Sequence, residues 1–576
     1  MVYGIDPKQV VFTNQARCRD CYRCVRVCPV KAIRIEGGQA FVDRQRCMSC
    51  GTCVRECPQG AKTYRRDIEK VMQVLLDHEF VAVSLAPSFA GAYEGWACAR
   101  LPSALRRLGF KHVAETAVGA YEVARATTAV VQKNDRSYIC TACPALVNYI
   151  EKYDQEKIGN LLPLVSPMMA HAKHIKARYG AGVKVIFIGP CVAKKMEAQR
   201  PEYEGLIDGV LTFDELNEWL KVRRIDLSGC EESSFDELPA GKSRLFPMEG
   251  GASATSSLST SHLDERMLFV SGFEEIREVL GSFPAFEKPC VIEPLICPHG
   301  CIGGVGMGKG IRVFDARARI MKYAAQSPTA NGDDGVPADL SATFFPQGIS
   351  PDRPLREEDI RLVLEKTGKA RHEDQLNCGA CGYPSCRDQA VAVVMQMAET
   401  DMCIPHMRRL AEQRSDRIIA TSPNGIVVLD ESLQILSANQ AFIKMFHTNG
   451  SCAGKSISTL VDPDPFEKVA CGQIEIFDEV GMQASHGLLV RQLIYALREE
   501  KQYVGIFVNM TPSAVNTQRL EKMKGETIQQ AQDLHQHQIE MAKNFANFLG
   551  EYTAKGEQLV QKLLEAVKDE NDKNGM

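Results

Sequence analysis

Apolar and polar positions divide the chain into regions with different periodicities. From about residue 76 to residue 325, apolar stretches such as Phe80-Val81-Ala82-Val83-Ser84-Leu85 and Val183-Lys184-Val185-Ile186-Phe187-Ile188 end near Gly or Pro and alternate with helical patterns. Short apolar runs between turn signals read as buried strands, and strands alternating with helices predict an α/β region. Beyond about residue 411 the strands are shorter. Ile426-Val427-Val428-Leu429 and Leu433-Gln434-Ile435-Leu436 flank the turn around Glu431, the run from Ser437 through Asn439 to Phe442 opens a helix, and 490–495 and 503–508 read as further strands. Between these regions, residues 327–335 are polar and turn-rich, which places a linker over 326–365. In the last stretch Ala542, Phe545, Leu549, Tyr552, Gly556, Leu559, Leu563 and Ala566 recur at spacings of 3 and 4. That seam predicts a helix over 516–576, either a dimeric coiled coil or one helix packed on its own domain.

Composition narrows the function. A length of 576 residues predicts several domains, and a net charge of -4 argues against a dedicated nucleic-acid binder. No apolar run is long enough for a membrane span. The opening Met1-Val2-Tyr3-Gly4-Ile5-Asp6 lacks the basic and apolar regions of a signal peptide, so a cytoplasmic location is expected. Thiols stay reduced there, and 22 cysteines then point to metal ligation more than to disulfides.

Cys18, Cys21, Cys24 and Cys28, followed by Pro29, read C-x2-C-x2-C-x3-C. Cys47, Cys50, Cys53 and Cys57, followed by Pro58, repeat the run 29 residues later. This is the spacing of bacterial two-cluster ferredoxins. Three thiolates on one tight loop can take three corners of a cubane, and the fourth, past the loop, reaches the other cluster. Residues 1–75 are therefore expected to hold two [4Fe-4S] clusters. Cys18, Cys21, Cys24 and Cys57 take the first, and Cys47, Cys50, Cys53 and Cys28 the second; paired zinc sites are the alternative. In the α/β region four more cysteines sit at strand ends and in glycine-rich loops. They are Cys143 in Cys140-Thr141-Ala142-Cys143-Pro144, Cys191 in Gly189-Pro190-Cys191-Val192-Ala193-Lys194-Lys195-Met196-Glu197, and Cys297 and Cys301 in the stretch from Glu293 to Gly306.

With these three motifs the chain resembles the [FeFe]-hydrogenase family over 76–325, together with the ferredoxin segment ahead of it. The resemblance implies a two-lobed α/β H-cluster domain. Cys143, Cys191, Cys297 and Cys301 would hold a [4Fe-4S] cluster, with Cys301 bridging to a diiron unit. Lys194 would hydrogen-bond a cyanide of that unit, with Glu197 beside it, making these two the candidate catalytic residues. Cys140 is a rival to Cys143, since the two form C-x2-C. Several positions depart from the catalytic pattern. Ala142 stands where the family has a proton-relaying cysteine, and a methyl group carries no proton. Gly189 and Leu295 replace motif methionines, Met168 and Met169 replace a pair of amide donors, and the acidic proton path has no clear match over 122–136. Such departures are similar to those of sensory hydrogenases.

Cys378, Cys381, Cys386 and Cys403 read C-x2-C-x4-C-x16-C. They resemble the small four-cysteine iron–sulfur domain of corrinoid iron–sulfur proteins, which implies a further [4Fe-4S] cluster in a small helical domain over 366–410; zinc is again the alternative. The segment 411–515 resembles a PAS domain, a sensory or dimerising module. His447 and His486 are its candidate haem ligands, although a lone histidine more commonly lies on a surface or in a core. The remaining Cys98, Cys140, Cys230, Cys290, Cys452 and Cys471 read as small buried hydrophobes.

The expected fold is a multidomain α+β and α/β chain. Its cysteine sites succeed one another in sequence toward the sensor-like segment, with the four-cysteine site between the α/β domain and the PAS-like segment. Three functions remain open. The chain could sense hydrogen or redox state and signal to a kinase, phosphatase or regulator, as a homodimer through the PAS domain and C-terminal helix. It could be a ferredoxin-linked hydrogenase working with redox partner proteins. It could be an electron carrier without the diiron unit. No nucleic-acid or membrane partner is expected.

Overall fold

The computed structural model describes residues 8–283, 288–308, 310–330, 339–349, 354–447, 452–483 and 488–510. The expected C-terminal helix, its coiled coil, the end of the PAS range and His486 lie outside these residues. The chain divides into two compact units, residues 1–409 and the residues from 410 onward.

The first unit is organised around two parallel sheets. Strand Val81–Leu85, buried along its whole length, lies between His112–Glu115 and Lys184–Gly189, and Gly209–Thr212 completes a four-stranded sheet. Parallel strands are covered on both faces by crossover helices, which is why they read as nearly unbroken apolar runs. In the second sheet, Val291–Leu295 lies between Met267–Ser271 and Tyr138–Ile139. Helices Ala117–Lys133 and Pro167–Tyr179 pack unusually closely. A Cβ at Gly119 would fall 2.4 Å from the His171 nitrogen and 2.6 Å from the Pro167 oxygen, so only glycine fits there.

The ferredoxin-like segment contributes two short antiparallel pairs, Val11–Thr13 with Lys62–Tyr64 and Ile33–Glu36 with Gln39–Val42. Its cysteine runs lead into the short helices Arg23–Val27 and Thr52–Arg55. The range expected as linker is partly ordered. Ala342 donates its backbone N–H to Pro163 (3.1 Å) and Gln347 to Glu151 (2.7 Å), so that stretch runs along the α/β domain. Glu357–Lys366 is a helix. Its Ile360 and Leu364, one turn apart, pack on Cys386, Ala390 and Val394 of helix Cys386–Val394. Three acidic residues in its first turn mask this apolar face in the sequence. The four-cysteine domain and the ferredoxin-like segment share one core, which contains Cys24, Cys28, Cys53, Tyr383, Met397 and Met402.

The second unit carries a five-stranded antiparallel sheet in the order Ile435–Ala438, Gly425–Leu429, Gln502–Asn509, Leu488–Leu497, Ile476–Gln483. Asn439 organises its entry. The side-chain oxygen caps helix Gln440–Met445 by accepting from Phe442 (2.9 Å) and also accepts from Ile426 (2.8 Å), while the amide donates to Ile419 and Asn424, both at 2.9 Å. The interior is filled by Phe442, Phe446, Phe466 and Phe507, with ring centroids 4.7 to 6.4 Å apart. His447 is exposed at the end of its helix.

Candidate metal centres

The ferredoxin-like thiols fall into two crossed groups. Burial raises the Cys24 thiol, Lys62 opposes it, and the neighbouring thiols of Cys18, Cys21 and Cys57 raise it further. Burial pushes Cys28 up to about 12, and there the thiol neighbours are Cys50 and Cys47, from the other run. Cys53 is raised by burial and by Cys47, Cys50 and Cys28. Each fourth cysteine thus lies with the opposite run. Buried thiols raised this far stay protonated unless a cationic core offsets the charge, and the iron of an iron–sulfur cluster would supply that core.

The α/β domain builds its group at the carboxyl ends of strands from both sheets, the usual place for a site in such folds. Lys184–Gly189 leads into Cys191, Tyr138–Ile139 into Cys143, and Val291–Leu295 into Cys297 and Cys301. Cys191 is raised to about 11 by burial and then by Cys143. Cys297 is raised well above its usual value by burial and by Cys191, Cys143 and Cys301. Cys140 is a different case. Burial raises it, the one charge acting on it is Glu293, and it packs with Met267 and Val291. The structure therefore brings Cys143, and not Cys140, to the other three. Cys143 caps helix Pro144–Tyr153, whose first residue is a proline that loses no helical donor, and the N–H groups of Ile296, Leu146 and Ala145 favour its thiolate.

Beside this group, Lys194 and Glu197 are 8% and 6% exposed, which excludes a solvent-facing helical pair. The Lys194 ammonium donates to Glu197 (2.8 Å), Ser166 (2.8 Å) and the Ala142 carbonyl (3.4 Å). All three ammonium protons are placed, and the Ala142 bond is the longest. Ala142 itself packs against Ala120, Ala124, Phe246 and Ala252. Gly189 has a steric reason: a Cβ there would meet the Phe187 ring at 2.7 Å and Ala86 at 2.8 Å. Met168 and Met169 are core residues.

The four-cysteine domain forms a partly open hollow lined by Cys378, Cys381, Cys386 and Cys403. The thiols encircle space rather than converging on a point. The arrangement fits a cubane. Two wall residues escape a reading of the sequence because no spacing rule marks them. Lys369, 4% exposed, donates to the Cys403 sulfur at 2.9 Å. Tyr383 is 5% exposed, and its hydroxyl has no hydrogen-bond partner. One cysteine also departs from expectation. Cys98, Cys140, Cys230, Cys290 and Cys452 are buried, but Cys471, at the solvent-facing end of helix Asp464–Ala470, is exposed.

Comparison with known proteins agrees with this division. Residues 79–305 match the family model for the iron-only hydrogenase large subunit, C-terminal domain; 10–58 match a 4Fe-4S dicluster domain, 374–405 a putative Fe-S cluster domain, and 413–480 a PAS domain. By these matches the chain combines a domain similar to the iron-only hydrogenase large subunit with 4Fe-4S-type domains and a PAS domain. Over 381 residues it is 26% identical to the periplasmic [Fe] hydrogenase large subunit of Nitratidesulfovibrio vulgaris, covering 54% of this chain and 90% of that protein. Over 118 residues it is 32% identical to the cytosolic Fe-S cluster assembly factor NAR1 of Vanderwaltozyma polyspora, covering 20% of this chain and 22% of that protein. A solved [FeFe]-hydrogenase of Chlamydomonas reinhardtii aligns over 49% of this chain and all of its own at 18% identity, with a TM-score of 0.39. Among the described residues no helix is long and apolar enough to cross a membrane.

Proposed function

We propose that this chain is a cytoplasmic signalling protein that senses hydrogen or redox state at its hydrogenase-type domain and passes that state through its PAS domain to a partner kinase, phosphatase or regulator. It would act as a homodimer through the PAS domain and C-terminal helix. The observation that carries the reading is Ala142. Where the resemblance to [FeFe]-hydrogenases implies a proton-relaying cysteine, the chain puts a methyl group packed among alanines and Phe246. Cys301 and Lys194 are the residues that would hold a diiron unit, and Lys194 could give it one donor by releasing the 3.4 Å bond to Ala142. When bound, that unit supplies reversible hydrogen cleavage. The chain's own residues would hold it and position the Lys194 ammonium through Ser166 and Glu197, while offering slow proton exit.

The second reading is an electron carrier without the diiron unit. It is favoured by the complete internal satisfaction of Lys194 and by the likeness to an Fe-S cluster assembly factor. The third is a working hydrogenase. Anaerobic reconstitution with the diiron cofactor separates them. Infrared bands of bound CO and cyanide with slow hydrogen oxidation are expected. Fast turnover would make the protein a working hydrogenase, and no bands would leave the carrier. Ala142→Cys is expected to raise hydrogen oxidation; an unchanged rate would refute the lost-relay explanation.

A further inference from the structure

In sequence the four-cysteine domain follows the α/β domain, yet it is bound to the ferredoxin-like segment. Arg26, on the first ferredoxin helix, donates to the Cys21 carbonyl (2.8 Å) and to the Ala380 carbonyl (3.1 Å), joining two cysteine loops through one guanidinium. The backbone at Gly382 (φ +95°) presses on the same helix. A Cβ there would meet Val25 at 3.0 Å and the Arg26 nitrogen at 3.1 Å. Behind the loop, Ile35 donates its N–H to Met397 (3.0 Å), and Gly37 and Gly38 donate to the Glu399 carboxylate at 2.6 and 3.0 Å.

Tyr383 lines the four-cysteine hollow, and it shares a core and a cleft with Cys28 of the second ferredoxin group. The second ferredoxin group is also packed on the α/β domain. A Cβ at Gly51 would lie 2.5 Å from Val305 and 3.0 Å from Val192, and Lys152 donates to the Cys47 carbonyl at 2.9 Å. An open cleft lies where the three segments meet, lined by Cys28 and Arg55 of the ferredoxin segment, Pro298 of the α/β loop, and Gly379 and Tyr383 of the four-cysteine loop.

We infer that the second ferredoxin cluster, held by Cys47, Cys50, Cys53 and Cys28, is a branch point that passes electrons across Tyr383 to the four-cysteine cluster, so the α/β domain reaches that cluster only through the ferredoxin. This rests on the reading that both sites hold [4Fe-4S] clusters. One electron leaves the reduced ferredoxin cluster and enters the four-cysteine cluster, with no bond made or broken; its source is a low-potential one-electron donor. The buried Lys369 ammonium on the Cys403 sulfur favours the more negative, reduced state, which makes the four-cysteine cluster the acceptor end of the branch.

The test uses the full-length, iron-loaded chain reduced by dithionite. Iron is counted first. Cys381→Ser/Cys386→Ser should lose about four irons per chain, the content of one cubane; an unchanged count would show that the site holds no cluster and would end the reading itself. With iron present, stopped-flow and rapid-freeze EPR follow reduction of the four-cysteine cluster. Cys47→Ser/Cys50→Ser is expected to slow that phase by roughly tenfold or more. Gly382→Ala, which disturbs the contact but no cysteine, should slow it with iron content unchanged, and Lys369→Met should lower the midpoint potential of this cluster. Four-cysteine reduction at the wild-type rate in a chain lacking the second ferredoxin cluster would overturn the branch.

Discussion

The buried pair of Lys194 and Glu197 gives the sharpest quantitative test of the site. Their charged atoms are 2.8 Å apart and both side chains are almost fully enclosed. At an effective dielectric of about 20, a pair at that distance attracts by roughly 6 kcal/mol before desolvation is counted. Desolvation cancels much of this, so the pair adds little compared with an apolar replacement. Deleting one member strands the other and costs about 3–5 kcal/mol. Lys194→Met and Glu197→Gln should each destabilise the α/β domain by an amount in or near that range, while the double variant should lose less than the sum by a coupling energy of about 2–3 kcal/mol. The assay is urea unfolding of the iron-free chain followed by tryptophan fluorescence. Both tryptophans, Trp96 and Trp219, lie in this domain, so the signal reports it alone. A coupling below about 0.5 kcal/mol, the worth of an exposed pair on a helix surface, would refute the buried-pair reasoning.

Three further outcomes are expected. Cys143→Ser should remove about four irons per chain while Cys140→Ala keeps the full count, because one cubane needs its four ligands; an iron assay with EPR decides, and the reverse result would move the ligand to Cys140. Gly51→Ala should destabilise the first unit by about 2–4 kcal/mol, combining left-handed backbone strain at φ +78° with a methyl driven into Val305, and thermal unfolding should show partial recovery in the Gly51→Ala/Val305→Ala double variant. His174 is raised from 6.5 to about 9 by its hydrogen bond to Glu122 (2.6 Å) and by Glu237, with burial opposing. Its contribution to stability is therefore complete below about pH 6.5 and is lost as pH rises through 9. Denaturant midpoints measured across that window should fall, and Glu122→Gln should flatten the decline.

The mixed architecture is legible in the sequence, and so is the spacing of the clustered cysteines, because both depend on local pattern. Buried parallel strands must be apolar on both faces, and a cubane loop must space its thiolates closely along the chain. The same logic explains the errors. The helix Glu357–Lys366 reads as linker because its outward face is acidic and its apolar face is only Ile360 and Leu364. Cys471 reads as buried because residue type alone predicts burial. The choice between Cys140 and Cys143 cannot be made from C-x2-C spacing, since both lie just past the same strand. It is decided by which thiol reaches Cys191, Cys297 and Cys301 across two sheets. Whether Lys194 and Glu197 are a solvent-facing pair or a buried one is equally open in the sequence, because helical spacing is the same in both cases.

By itself, then, the sequence determined which residues can be ligands, which loops carry them and which domains succeed one another. Only the tertiary structure decided who neighbours whom: Tyr383 in one core with Cys28, Lys369 on Cys403, and the four-cysteine domain on the ferredoxin-like segment. The physical reason is range. Ligand spacing and strand pattern are set within a few residues, whereas contacts such as Arg26 to Ala380 join positions more than three hundred residues apart and exist only once the apolar faces of separate segments have found one another.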